Sequence, residues 1–321
     1  MKKFILIICA FLLLHYILKA NITVKTTHQP YSGSANFSHC TLQEHQSITG
    51  PLIAHNANLK SASVTGRCEL KDSKVEHLEV CGPLSCTRSE IQKLHKTGLG
   101  KLVNSQVTDH FESTGLTHAA HCEFKSYAGS GNLECDHVEV DATLKNIGQT
   151  VLSHSSVHDA HITGLTSCEH ATLVSCTIIG KTTFTETKVS DLADICGMFS
   201  CERSTLKKAI VCGKTHLKQV SAAEAEITGQ LTAELSNIKT VTLKTDESYF
   251  DSCAIETLYV EKNDESTLKR PITIKIANSH KNTPGSYIKR IVCSDPTTII
   301  IYTKNAIQAD EVVGTTHITV N

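Results

Sequence analysis

The chain has 321 residues, with 31 Lys and Arg residues against 32 Asp and Glu residues and a formal net charge of −1. This balance argues against a nucleic-acid binder, which normally carries a basic excess or a basic stripe. The chain contains no Trp and only 5% aromatic residues, so the aromatic platforms that bind bases or sugars are scarce.

The N-terminal segment has the features of an export signal. Lys2 and Lys3 precede an apolar run over residues 4–18, and Ala20 offers a small residue for cleavage. A charged start followed by a short apolar run is typical of a secretory signal peptide. We predict a signal peptide over residues 1–20, with a short uncleaved anchor as the alternative, and a secreted, periplasmic or cell-surface location. Only an uncleaved segment would contact a membrane.

Thirteen of the seventeen glycines recur at intervals of 16 or 17 residues, after a short lead-in over residues 21–32. This spacing indicates a solenoid in which each turn bends at the same corner, because a corner with positive φ favours the residue without a Cβ. The column consists of Gly33, Gly50, Gly66, Gly82, Gly98, Gly115, Gly131, Gly148, Gly164, Gly180, Gly197, Gly213 and Gly229.

Within each interval the inward-facing residues form three predicted pairs. Counting each glycine as position 0, apolar or small residues fall at positions 2, 4, 7, 9, 12 and 14. A spacing of two is the period of a strand that faces the core, and the spacing of three between pairs allows for a corner. The pattern predicts an all-β fold, a single-stranded triangular parallel β-helix with 16–17 residues per turn. In the turn from Gly66 the six residues are Cys68, Leu70, Ser73, Val75, Leu78 and Val80.

Turns of 17 residues need room for one extra residue. In the turn from Gly98 we expect a bulge at a corner, which shifts the third inward pair to Phe111 and Ser113 or their neighbours. The glycine column stops after Gly229, where longer polar stretches begin. An open solenoid end exposes unpaired backbone groups, so a terminal cap is expected. The predicted segments are a regular β-helix over 33–243, irregular turns over 244–293 and a strand-rich C-terminal cap over 294–321.

Uniform turns of 16–17 residues, a glycine-marked corner and Val, Ile or Leu at alternate sites resemble the bactofilins, a family of polymer-forming cytoskeletal β-helix proteins. The resemblance covers residues 33–243 and lies in repeat length and pattern. It implies a right-handed helix, no nucleotide and assembly by end-to-end contact. Bactofilins mostly act in the cytoplasm and are poor in cysteine, whereas this chain begins with an export signal and has 14 cysteines.

A histidine column is the strongest candidate for chemistry. His121, His137, His154 and His170 stand at position 6 of four successive turns, and Asp136 precedes the second of them. Stacked turns would place these imidazoles about 4.8 Å apart along one edge, where neutral imidazoles could share a divalent metal. One alternative is a solvated corner in a chain with 18 histidines. Another is a pH effect, because protonation below about pH 6.5 would stack like charges.

The cysteines divide into corner and interior positions. Residues 81–86 and 196–201 both read C-G-x-x-S-C across the glycine corner. Cys196 and Cys212 each precede a column glycine, so stacking places them in adjacent turns at a separation that suits a disulfide. Interior cysteines are predicted to be small core hydrophobes: Cys86, Cys122, Cys135, Cys168, Cys176 and Cys201.

The regular turns leave no room for an enzymatic cleft. Between residues 33 and 229 no turn exceeds 17 residues, so the long loops that form the clefts of β-helix lyases and hydrolases are missing. We predict no catalytic residue and no cofactor. The predicted function is that of a secreted, non-enzymatic structural, self-assembling or surface-interaction solenoid, whose partner is itself or a cell-surface protein and not nucleic acid. The alternative is a carbohydrate-active or metal-binding β-helix that uses the histidine edge or the turns after residue 245.

Overall fold

The described residues form a parallel β-solenoid of about 14 turns with a repeat of about 16 residues, and no helix occurs among them. The predicted all-β, parallel β-helix class is therefore confirmed. The chain divides into two compact units, Met1–Ala128 and Gly129–Asn321. The predicted signal peptide over 1–20 lies outside the described residues, as do most of the lead-in and of the C-terminal cap. The computed structural model describes residues 22–23, 31–245, 247–261, 272–277, 286–293, 299–303 and 311–313.

In the first unit, each strand pairs in parallel with the equivalent strand one turn away. The strands are β1 (Ile22–Thr23), β2 (Tyr31–Ser32), β3 (Ala35–Ser38), β4 (Cys40–Thr49), β5 (Leu52–His55), β6 (Asn58–Thr65), β7 (Cys68–Lys71), β8 (Lys74–Cys81), β9 (Leu84–Thr87), β10 (Glu90–Thr97), β11 (Gly100–Val103), β12 (Gln106–Thr114) and β13 (Thr117–Ala120), with β14 (Glu123–Ser130) at the unit's C-terminal limit.

The second unit repeats the same parallel pairing and continues it through the last described strands. Two of those strands, β29 and β30, lie in the segment predicted as a cap, and they pair with β27 and β28. The strands are β15 (Leu133–Asp136), β16 (Glu139–Ser153), β17 (Ser156–Glu169), β18 (Thr172–Thr185), β19 (Lys188–Glu202), β20 (Thr205–Cys212), β21 (Thr215–Lys218), β22 (Ser221–Thr228), β23 (Leu231–Glu234), β24 (Asn237–Leu243), β25 (Glu247–Asp251), β26 (Ala254–Val260), β27 (Ile272–Ala277), β28 (Tyr287–Cys293), β29 (Ile299–Thr303) and β30 (Glu311–Val313).

The inward pairs predicted from the glycine register are buried. All six residues predicted for the turn from Gly66 are at most 3% exposed. In most turns a strand of four residues carries the first pair. One longer strand, such as β8, begins just after the first residue of the second pair and carries the other residue of that pair and the third pair. The corner between the second and third pairs is therefore a bend within a hydrogen-bonded strand, not a break between strands.

The extra residue of the 17-residue turns enters at that same bend. Phe111 and Ser113 are both buried, so the predicted shift of the third pair in the turn from Gly98 is confirmed. In these glycine-marked turns the corner absorbs the added residue without changing the inward face of either neighbouring strand. After Gly229 an added residue enters at another corner, between Leu243 and Ser248. The register shifts lie between Leu42 and His45, Val107 and His110, Val140 and Thr143, and Val189 and Leu192.

The glycine corner needs glycine for two reasons. All thirteen column glycines have φ between 108° and 142°, a region that side chains with a Cβ rarely adopt. In addition, a Cβ on Gly180 would overlap the carbonyl oxygen of Gly164, and the same clash recurs between neighbouring glycines along each unit. The column therefore allows close backbone stacking as well as a sharp turn.

A second left-handed corner lies at position 6 and was not predicted. Its residues have φ between 48° and 54° although none is glycine. Asn, Asp and His tolerate this conformation best, and they fill eight of the fourteen sites. The residues are His39, Asn56, Asp72, Arg88, Asn104, His121, His137, His154, His170, Glu186, Arg203, Gln219, Leu235 and Ser252.

Serine at position 7 serves this second corner. The Ser89 hydroxyl donates to the carbonyl of Thr87 at 3.0 Å and accepts from the backbone N–H of Ser73 in the preceding turn at 3.3 Å. Ser105 makes the same two bonds one turn later. The preference for serine therefore reflects hydrogen bonding to the backbone at this corner, in addition to the limited space we predicted.

One interior position holds a lysine where the register predicts an apolar residue. The Lys96 side chain is 0% exposed, and its Nζ donates to the carbonyls of Gly98 at 2.9 Å and Leu116 at 3.0 Å. Gly100 leaves the necessary space, because a Cβ there would overlap the end of the Lys96 side chain. Burial lowers the pKa of Lys96 to about 8.

Polar side chains continue at this inner corner in both units. In the first unit the hydroxyls of Ser113 and Thr117 lie 2.7 Å apart. In the second, Asn146 Nδ2 donates to the carbonyl of Gln149 at 3.1 Å and to Thr150 Oγ1 at 2.9 Å.

No described helix is long and apolar enough to span a membrane.

Candidate functional site

The histidine edge of the second unit is an ordered stack of imidazoles. His137, His154 and His170 each take the left-handed position 6 of their turn. The His137 and His154 rings lie 4.8 Å apart at 11°, and the His154 and His170 rings lie 5.0 Å apart at 13°. These spacings agree with the stacking predicted from the sequence. His121 occupies the same position in a turn of the first unit.

Asp136 brings a carboxylate to two of the stacked histidines. It ends β15, next to His137, and its Oδ1 lies 2.9 Å from His137 Nδ1 and 3.5 Å from His154 Nδ1. Partial desolvation acts to raise the pKa of Asp136, but the hydrogen bonds and charges of His137 and His154 together lower it. Donor atoms from Asp136, His137 and His154 all lie within 4.8 Å of one another, which is compatible with one metal ion.

His170 belongs to a different set of contacts. Its Nδ1 lies 3.0 Å from Glu186 Oε2, and the other oxygen of Glu186 lies 2.9 Å from Arg203 Nε. Arg203 also lies 3.6 Å from Glu202. The sequence grouped four histidines into one candidate metal set, whereas their contacts in the second unit separate His170 from the pair that shares Asp136.

The same edge of the first unit carries an ion pair. Arg88 donates through Nε and Nη2 to the two oxygens of Asp72, at 2.6 and 2.8 Å. The hydrogen bond from Arg88 lowers the pKa of the Asp72 carboxyl and raises that of the guanidinium. A carboxylate held in this bidentate way is neutralised, so this part of the edge is not a cation site.

The cysteines occupy the places that the register predicts. Cys196 and Cys212 are direct cross-strand neighbours in β19 and β20, and both are exposed. Their disulfide remains a prediction. All six predicted interior cysteines are buried. Burial raises the pKa of Cys176 and Cys201 to about 12, so these thiols stay protonated near neutral pH and are poor nucleophiles.

An apolar ridge on the outside of the glycine corner was not predicted. In the second unit it consists of Ile147, Leu165, Ile179 and Met198, which are between 53% and 65% exposed. Each directly precedes or follows a column glycine in one of four successive turns. A count of apolar residues at any single register position misses the ridge, because its members alternate between the two sides of the glycine.

Two grooves on the described surface are open and are bordered mainly by lysines, glutamates and small side chains. One groove of about 410 Å³ in the first unit is bordered by Lys60, Lys74, Glu76 and Glu90. Lys74 and Glu90 form an ion pair at 2.5 Å. In the second unit, a groove of about 480 Å³ is bordered by Lys188, Lys207 and Lys239 with small polar and apolar side chains. No aromatic residue borders either groove.

Comparisons with known proteins do not assign the chain to a family. No family model, no curated protein and no solved structure matches it. The class is therefore set by the structure alone, as a parallel β-solenoid with a repeat of about 16 residues. The likeness to bactofilins remains one of repeat length and pattern.

Proposed function

We propose that the chain is a non-enzymatic structural solenoid that acts outside the cytoplasm and associates side by side with a second copy of itself. The observation that carries this proposal is the exposed apolar ridge along the glycine corner of the second unit. Exposed apolar side chains that recur on four successive turns are typical of a protein interaction surface. The bactofilin-like repeat supports assembly as well, although bactofilins assemble end to end.

The surface directly after the ridge glycines carries little charge. Positions 1 and 3, which follow the glycine and face outward, include one charged side chain, Lys181. Other charged residues lie at position 5 (Glu169 and Glu202) and on the preceding side of the corner (Lys145 and Asp194). The strands β16 to β19 run unbroken through this corner, for 14 or 15 residues each. The side of the ridge that follows the glycines can therefore be desolvated at low cost.

The stagger of the ridge favours an identical partner. Ile147 and Ile179 precede their glycines, whereas Leu165 and Met198 follow theirs. A two-fold axis parallel to the solenoid axis would place the preceding residue of one copy opposite the following residue of the other. Leu165 would then face the smaller Thr163 of the second copy. Each large side chain of the ridge would pack into the space beside a smaller residue, because both copies carry the same staggered arrangement. Such a contact is isologous, as in most homodimers.

The size of the ridge sets the expected strength of association. The ridge extends over four turns spaced about 4.8 Å apart and is about five strand residues wide. Its contact area is therefore roughly 300 Å² on each copy. A stable interface usually buries about 800 Å² on each partner. We therefore expect a weak, concentration-dependent dimer when only this ridge is in contact.

The proposal is tested by sedimentation equilibrium of the purified chain over a range of concentrations. We expect the wild-type chain to show a rising average mass, and Leu165→Glu to remain monomeric because a carboxylate would be buried against the partner. Ser156→Glu is the matched control, since it adds the same charge to an exposed site on the same strand, β17. Monomeric wild-type protein at high concentration would contradict the proposal, and so would an unchanged dimer in Leu165→Glu.

A further inference from the structure

We propose that Asp136, His137 and His154 form a binding site for a single zinc-like divalent ion on the histidine edge of the second unit. The site is independent of the proposed self-association, because the glycine corner and position 6 are different corners of the turn. It replaces the four-histidine set predicted from sequence with two histidines and a carboxylate.

The backbone holds the three groups in place. Asp136 and His137 are consecutive at the end of β15, and His154 lies at the equivalent corner of the next turn. The parallel pairing of β15 with β16 sets Asp136 opposite Ser153, which precedes His154. Left-handed φ values of 53° and 50° direct both histidines outward from their corners. The strand ladder therefore fixes the Cα positions before any ion binds, which lowers the entropic cost of binding.

The donor atoms are close to the separation that one ion requires. Bonds of about 2.0–2.2 Å to nitrogen and oxygen in tetrahedral geometry place two ligand atoms about 3.4 Å apart. Asp136 Oδ1 already lies 2.9 Å from His137 Nδ1 and 3.5 Å from His154 Nδ1. All three side chains are about half exposed, so rotation about their χ angles can open space for an ion between the carboxylate and the two rings.

The type of donor selects the ion. Two imidazole nitrogens and one carboxylate oxygen suit Zn²⁺ and related first-row ions, whereas Ca²⁺ and Mg²⁺ prefer oxygen ligands alone. Three protein ligands leave the fourth position of a tetrahedral ion to water. His170 is the next ring in the stack, but its Nδ1 is engaged with Glu186, which also holds Arg203. The guanidinium adds positive charge on that side, which favours the Asp136 end of the stack for a cation.

The experiment is calorimetric titration of the full chain with Zn²⁺ in a background in which Cys196→Ser and Cys212→Ser remove the exposed thiol pair as competing ligands. We expect one ion to bind this parent variant. His154→Gln and Asp136→Ser should each weaken binding roughly tenfold or more, because each removes a ligand. Both substitutions use residues that the solenoid already accepts at equivalent positions, Gln219 and Ser153.

His170→Gln is the matched control, since it also removes one ring of the stack at position 6. Its affinity for Zn²⁺ should stay within about twofold of the parent variant, because His170 is not a ligand of the proposed site. Thermal unfolding without metal checks that every variant is folded, and the absorption spectrum of bound Co²⁺ gives an independent report on the ligands. No binding by the parent would overturn the proposal, as would equal losses in His170→Gln and His154→Gln. Neither result would bear on the dimer measured by sedimentation.

Discussion

Lys96 shows how a single residue can depart from the repeat without breaking it. Its ammonium group lies in the interior with two backbone carbonyls as acceptors, and Gly100 provides the space. The sequence pattern predicts an apolar residue at this site, because a periodicity argument treats each position as an average over turns. The lysine and its glycine lie in consecutive turns, and only their contact explains why both are there.

The buried lysine predicts a specific pH dependence of stability. The pKa of Lys96 is about 8 in the folded chain and about 10.4 in an unfolded chain, a difference that corresponds to about 3 kcal/mol. Between these values the unfolded state binds more protons, so folding becomes more favourable as pH rises from about 8 to about 10.4. Below about pH 8 the cost of burying the charge is fully present.

The measurement compares wild type with Lys96→Met by urea unfolding from pH 7 to pH 10.5. The wild-type free energy of unfolding should rise relative to the variant by up to about 3 kcal/mol across this range. Titration of all other groups cancels in the difference, because the two chains share them. A difference that stays flat with pH would show that Lys96 is not held as a buried charge.

Ser89 provides a second prediction at the residue scale. Ser89→Ala removes the acceptor for the Ser73 N–H and should lower the free energy of unfolding by about 1–2 kcal/mol. Ser89→Cys should cost less, because Cys122 occupies the same position and its Sγ donates to the carbonyl of Ala120 at 3.2 Å. Chemical denaturation of the three chains checks the order. If both variants lose the same free energy of unfolding, packing and not hydrogen bonding explains the loss.

At the scale of the turn, the glycine corner combines backbone conformation and close stacking, and substitution can separate the two. Gly180 and Gly33 both have positive φ. A Cβ on Gly180 would overlap the carbonyl oxygen of the neighbouring glycine, whereas a Cβ on Gly33 would meet no atom. Gly33→Ala should therefore cost about 1–3 kcal/mol from strain alone. Gly180→Ala should cost at least about 2 kcal/mol more, because the turns must separate locally. Thermal unfolding of both variants tests this, and equal costs would contradict the stacking explanation.

The repeat could be predicted from the sequence because apolar side chains recur along the chain with the period of the turns. Most inward residues, such as Val75 and Leu78, are apolar or small, so their spacing is visible along the chain. The second corner was missed because Arg88, Glu186 and Leu235 also adopt its left-handed conformation. Their presence obscures the preference for Asn, Asp and His at position 6. Backbone hydrogen bonds and serine contacts hold this corner, and neither is visible as a residue pattern.

The candidate metal site was predicted in part for a related reason. The histidine column is visible because the four residues share one register position. Asp136 occupies the preceding position, where other turns carry residues as different as Lys71 and Ser153, so no column marks it as a ligand. Its role follows from the 2.9 and 3.5 Å contacts to two rings, which depend on side-chain rotamers. The partners of His170 are likewise set by side-chain geometry that spacing does not determine.

At the scale of the whole molecule, the stacked thiols connect the fold to the compartment. Cys196 and Cys212 are adjacent across β19 and β20 and exposed on one edge. If the chain is exported, as its N-terminus predicts, oxidation should join them and stabilise the second unit by about 3 kcal/mol. Intact-mass measurement before and after reduction should show a gain of two hydrogens, with the loss of stability measured by urea unfolding. Cys196→Ser should remove both effects, and an unchanged mass on reduction would contradict the pairing.

The bend that accepts one extra residue also bears on how such a chain can change in length. Duplication or deletion of one complete turn, such as residues 164–179, restores the register, so every inward residue of the flanking turns stays inward. A single-residue insertion inside a strand instead turns the following side chains to the opposite face. Recombination between similar repeats is therefore tolerated at almost any pair of equivalent points, whereas single-codon insertions are tolerated only at corners. The protein can gain or lose length in whole turns while each remaining turn keeps its place in the core.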